Sequence, residues 1–93
     1  MKDVLGNPIR KADWVVCSYN WLTHPELKFC RVLRVKDTIQ TIGFFKAPYT
    51  EEFKMDNKVS VDHKLTNCLV ISEDMVSEEI KSLFNESKYF TRL

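Results

Sequence analysis

The chain has 93 residues, of which 44% are hydrophobic and 29% charged, with a formal net charge of +1. That length makes one domain with a small core, and the apolar fraction excludes a disordered chain. The near-neutral charge excludes a strongly basic polyanion binder, and no apolar run approaches the roughly 20 residues of a membrane helix.

An opening Gly6-Asn7-Pro8 turn leads to Asp13 and then to Trp14–Tyr19, a β-branched and aromatic run that predicts the first strand. Residues 20–26, with Pro25, are read as a loop. Leu27–Lys36 predicts a second strand. Leu27, Phe29, Leu33 and Val35 share its period-2 face, which Arg31 interrupts, so a bulge or bend is expected near Arg31. Ile39–Lys46 predicts a third strand, with Gly43 marking a bend or a close backbone approach. Residues 47–58 are polar and read as an exposed connection from which Phe53 and Met55 fold back. Val59–Val61 and Asn67–Ile71 complete a set of about five strands, with a turn at residues 63–66.

After Ile71 the period changes. Ser72 is read as an N-cap with Glu73 and Asp74 in the first turn. Val76, Ile80, Leu83 and Phe84 then form one apolar stripe, predicting an amphipathic helix from Glu73 to about Asn85. Tyr89, Phe90 and Leu93 either dock on the body or form a contact patch. The body, residues 1–71, carries eleven Lys/Arg against eight Asp/Glu; residues 72–93 carry three against five. The expected architecture is a mainly β (α+β) single domain over 1–93: a small antiparallel barrel of about five strands with a C-terminal amphipathic helix.

Two stretches carry a resemblance: Asp3-x-x-Gly6-x-x-Ile9-x-x-Ala12-Asp13-Trp14-Val15-Val16, and Leu27-Lys28-Phe29-Cys30-Arg31-Val32-Leu33-Arg34-Val35. Together they resemble small SH3-like barrel proteins encoded by tailed bacteriophages, and more distantly KOW-type barrels. The likeness covers roughly the first third of the chain and the Cys68–Ile71 strand. Ala12 stands where that pattern has a glycine before the first strand. Cys30 stands where KOW-type barrels carry their signature glycine, beside their nucleic-acid surface. The resemblance implies a phage accessory protein that acts by binding in a bacterial cytoplasm.

Four chemistries are open to these residues. Cys17, Cys30, Cys68, His24 and His63 lack the close ligand pairing of structural zinc sites, so the cysteines read as buried small hydrophobes and no metal or cofactor is expected. Asp62 and His63 are adjacent on a strand and point to opposite faces. Together with Asp56 they make a poor hydrolytic set, and no enzyme is expected. An odd cysteine count and an N-terminus without an apolar core segment fit a reducing cytoplasm. The expected function is non-enzymatic binding and modulation of a host protein, with Trp21, Arg34, Tyr49 and Phe90 as contact residues. The alternative is a small nucleic-acid-binding module. It would set Lys28, Arg31, Arg34 and Lys36 against phosphates, with Tyr19, Trp21, Phe44 and Phe45 as stacking faces. No membrane partner is expected, and the oligomeric state is left open.

Overall fold

The computed structural model describes residues 1–21, 24–47, 49–63 and 67–93, with the side chains of residues 19–21 and 24–26 outside that description. The chain is mainly β. Six strands make one antiparallel sheet: β1 (Trp14–Trp21), β2 (His24–Val35), β3 (Ile39–Lys46), β4 (Phe53–Met55), β5 (Ser60–Asp62) and β6 (Cys68–Ile71). One helix, α1 (Glu78–Asn85), lies between two 3-10 turns, Glu73–Met75 and Phe90–Arg92. The order across the sheet is β4-β3-β2-β1-β6, with β5 pairing the first half of β3. Among the described residues β6 pairs only β1, and β5 pairs only β3, so the sheet curls without closing.

Three expectations change here. Of the expected loop at 20–26, residues 20, 21 and 24–26 are strand, and residues 22 and 23 lie outside the described residues. β1 continues to Trp21, and β2 begins at His24, with Asn20 opposite Pro25 and Trp21 opposite His24. The polar connection hides β4, whose Phe53 and Met55 turn back onto β3. The expected helix from Glu73 is broken at Val76, which is extended (φ −94°, ψ 133°). Ser72 gives its hydroxyl to the Asp74 carboxylate and caps no backbone N–H. Ser77 is the working cap, its Oγ accepting from the Ile80 N–H at 3.3 Å.

The central strands are apolar on both faces, which produces two cores. On one face Trp14, Leu33, Ile42 and Phe44 pack against Val76, Ile80, Phe84 and Tyr89. The other face holds Ile9, Val15, Cys17, Cys30, Val32, Ile39 and Cys68. The pairing of β2 with β3 shifts between Val32 and Arg34, so Leu33 is an extra residue in β2. Its side chain enters the helix-side core, and Val35 is redirected to the opposite one. The irregularity expected near Arg31 is therefore at Leu33, and Arg31 itself stays in register opposite Trp14. Gly43 sits beneath the Lys28–Asp56 ion pair. A Cβ there would lie 2.5 Å from Asp56 Oδ2 and 2.9 Å from Lys28 Cε, which explains the glycine by close approach.

β1 is entered through a tight turn. Asp13 N–H donates to the Arg10 carbonyl (3.1 Å), and Ala12 N–H and Asp13 C=O both bond Val32 (2.8 and 2.9 Å). Two residues thus oppose one, and Ala12 takes φ +74°, the left-handed position that glycine occupies in such bulges. An L-residue there costs about 1–2 kcal/mol. Ala12→Gly is therefore expected to stabilise the protein by about 0.5–1 kcal/mol, after glycine's extra unfolded-state entropy is subtracted, as read from urea unfolding midpoints.

Candidate functional site

The residues expected to carry function fall at two separate places on the sheet. Tyr49 lies in the β3–β4 turn, at the same end as the β1–β2 tip that carries Trp21 in its backbone register. The Trp21 side chain lies outside the described residues. Arg34 and Phe90 belong to the opposite end: Arg34 pairs with Gln40, and Gln40 Oε1 accepts from Arg92 Nη2 at 2.8 Å, two residues beyond Phe90. The four expected contacts do not make one surface.

The β3–β4 turn is built to present Tyr49. Ala47 N–H donates to Glu52 C=O at 2.9 Å, and Thr50 sends both its N–H and its hydroxyl to the Ala47 carbonyl at 3.3 Å. Lys46 pairs with Glu51 alongside, and this ion pair draws the Glu51 carboxyl below its ordinary range. Tyr49 at the top has φ +63° and a relative exposure of 106%. Leu27 on the neighbouring ribbon is also strongly exposed, and Phe45 partly so. Nothing in the composition of 47–52 signals this strain, because no glycine or asparagine is present to take the left-handed position.

The basic residues of β2 do not form a row. Lys28 pairs with Asp56 on one face. Arg31 is on the other, half-buried, with its guanidinium 4.6 Å from the Trp14 ring centre and 4.9 Å from that of Phe84. Its Nε donates to the Ala12 carbonyl at 2.8 Å, so it clamps the strained turn to the core. Burial works against its charge, and Glu73 and Asp13 offset part of that. Arg34 and Lys36 are exposed. Phe44, expected as a stacking face, is buried in the helix-side core. Of the C-terminal aromatics, Tyr89 docks there, while Phe90 stays half-exposed with its edge toward Phe84.

The N-terminal segment supplies two features that the sequence did not assign. Asp3 Oδ2 accepts the Val70 N–H at 2.9 Å, and Val4 N–H donates to Cys68 C=O at 3.0 Å, so this segment covers the outer edge of β6. Asp3 Oδ1 accepts from Leu5 and Asn7. Burial raises the Asp3 carboxyl, but these hydrogen bonds outweigh it and hold it below its ordinary 3.8. Beneath, the Cys17 thiol shares its core with Cys30 and Cys68. Its contact with Cys30, together with burial, pushes the Cys17 thiol upward; burial and then the Asp3 charge do the same for Cys68. Among the described residues no group of three or more His, Cys, Asp and Glu is arranged to hold a metal ion. No helix there is long and apolar enough to cross a membrane.

No protein-family model matches the chain, and neither does any curated protein or any solved structure.

Arg31→Lys keeps the charge but loses the planar stack and the Nε–H bond. It is expected to cost about 1–2 kcal/mol in urea unfolding, and Arg31→Ala more. A carboxyl held low when folded stabilises above its unfolded pKa, and that contribution is lost as pH falls through its folded value. The wild type is therefore expected to lose stability from about pH 4 downward. Asp3→Asn should show a lower starting midpoint and a shallower acid decline over the same range.

Proposed function

We propose that this chain is a non-enzymatic accessory protein of phage type, a variant of the SH3-like barrel, that binds and modulates a host protein in the bacterial cytoplasm. One observation carries the binding surface: Tyr49 is a fully exposed aromatic side chain held in a left-handed conformation by a hydrogen-bonded turn. A large ring kept in water at a cost in backbone strain has no role in either core. Strain of this kind gathers where a side chain is presented to a ligand, and tyrosine is a frequent interface anchor. Leu27 and Phe45 are exposed at the same end of the sheet, on opposite faces of it. A protein partner fits this better than nucleic acid, since Lys28 is tied to Asp56 and Arg31 is stacked between rings. The architectural part of the proposal draws support from the short antiparallel strands, the C-terminal helix, and the left-handed backbone of Ala12 at the glycine position of the resembled pattern.

Tyr49→Gly separates binding from folding. It relieves the left-handed strain, so unfolding is expected to need about 0.5–1 kcal/mol more, while the anchor is gone. Immobilised wild-type protein is expected to retain one stoichiometric protein from nuclease-treated bacterial lysate, and Tyr49→Gly to retain little of it. Retention that vanishes with nuclease, or that is equal for the two proteins, overturns the proposal.

A further inference from the structure

The three cysteines of this chain lie far apart in sequence yet meet at one place. They stand on β1, β2 and β6, and are 5%, 1% and 2% exposed. Cys17 and Cys68 are direct partners in the β1–β6 ladder. Residues directly opposite in an antiparallel pair have Cα atoms about 4.5–5.5 Å apart, inside the range a disulfide spans. All three are thiols in this structure, with no disulfide among them.

The segment before the sheet shares in their cover. Ile9, only 4% exposed, belongs to the same core as the three cysteines. The Asp3 carboxylate and the Val4 N–H hold that segment to the edge of β6, on either side of Leu69. The segment closes on itself through Asp3 N–H to Asn7 C=O and Ile9 N–H to Met1 C=O, both 2.9 Å. It carries its own apolar side chains Val4 and Leu5 largely in water, so among the described residues Ile9 and two edge hydrogen bonds are its main attachments. Segments with few buried contacts open locally at a small fraction of the global unfolding free energy.

We infer that residues 1–9 form a lid over a redox-modifiable thiol pair, and that opening it lets Cys17 and Cys68 be linked by exchange with a small disulfide such as glutathione disulfide. The inference is independent of the Tyr49 surface. The thiolate of Cys68, on the edge strand, attacks one sulfur of the reagent. The reagent's S–S bond breaks and one glutathione thiolate leaves. The thiolate of Cys17 then attacks the Cys68 sulfur of the mixed disulfide and expels the second glutathione. Two protein thiols are oxidised, one glutathione disulfide is reduced to two glutathiones, and the two thiol protons pass to them. With the lid closed, burial and the Asp3 charge both disfavour the Cys68 thiolate, so the pair stays reduced.

The test follows the reaction of the whole folded chain with glutathione disulfide at neutral pH, by intact mass and peptide mapping. Ile9→Ala removes the lid's buried anchor without altering charge, and Asp3→Asn weakens its hold on β6. Ile80→Val, in the helix-side core, destabilises the fold without touching the lid. Both lid variants are expected to react about tenfold faster than the wild type or more, with Ile80→Val close to wild type. The product is expected to be two hydrogens lighter, with Cys17 joined to Cys68 and Cys30 still a thiol. Equal acceleration by Ile80→Val places exposure in global unfolding and overturns the lid. Lid variants that react no faster than wild type overturn it as well. A bond to Cys30, or accumulation of glutathione adducts alone, overturns the pairing.

Discussion

A sheet whose central strands are apolar on both faces has to be covered twice, and that constraint shapes this molecule. β1 sends Trp14 to one side and Val15 and Cys17 to the other. Among the described residues there is no second sheet to lay over it, and the covers come from the segments before and after the strands. The C-terminal segment lays Val76, Ile80, Phe84 and Tyr89 on one face, while the N-terminal segment sets Ile9 on the other and its backbone along β6. The extra residue at Leu33 lets a single strand serve both covers, feeding Leu33 to the first core and Val35 to the second. Arg31 couples the two arrangements: its guanidinium lies against Trp14 and Phe84 on the helix side, and its Nε–H holds the Ala12 turn through which the N-terminal segment enters the sheet.

Much of this was legible in the residues. The β-branched runs at Trp14, Ile39 and Cys68 are strands, Gly43 marks a close approach, and the stripe of Val76, Ile80, Leu83 and Phe84 does face a core. What was not legible has identifiable causes. Pro25 and Asn20 read as loop residues, yet a ribbon outside the wider sheet tolerates them, since proline is confined to positions where no ladder donor is needed. β4 is three residues long and sits in polar sequence, so its pairing with β3 is a tertiary effect. Ser72 and Ser77 are both followed by two acids, so the sequence offers two helix starts, and only the extended backbone at Val76 distinguishes them.

The candidate contacts illustrate a different limit. Tyr49 and Phe90 both have anchor chemistry and both are exposed, but they stand at opposite ends of the sheet. Distances in sequence carried no hint of that separation. Likewise Lys28, Arg31, Arg34 and Lys36 look like one basic strand until the register distributes them: Lys28 lies beside Asp56, Arg31 between two rings, and Lys36 in the β2–β3 turn.

The acceptor at Val70 is a side chain, and that has a consequence for solubility. A neighbouring strand would take the Val70 proton with a carbonyl and offer a proton of its own to the next chain, so pairing could propagate. A carboxylate accepts and has nothing to pass on, which terminates the sheet at β6. The termination depends on ionisation, because a neutral carboxylic acid accepts more weakly. Strong acid thus weakens the cap at Val70, while the Val4 N–H still holds Cys68 on this edge strand of four residues.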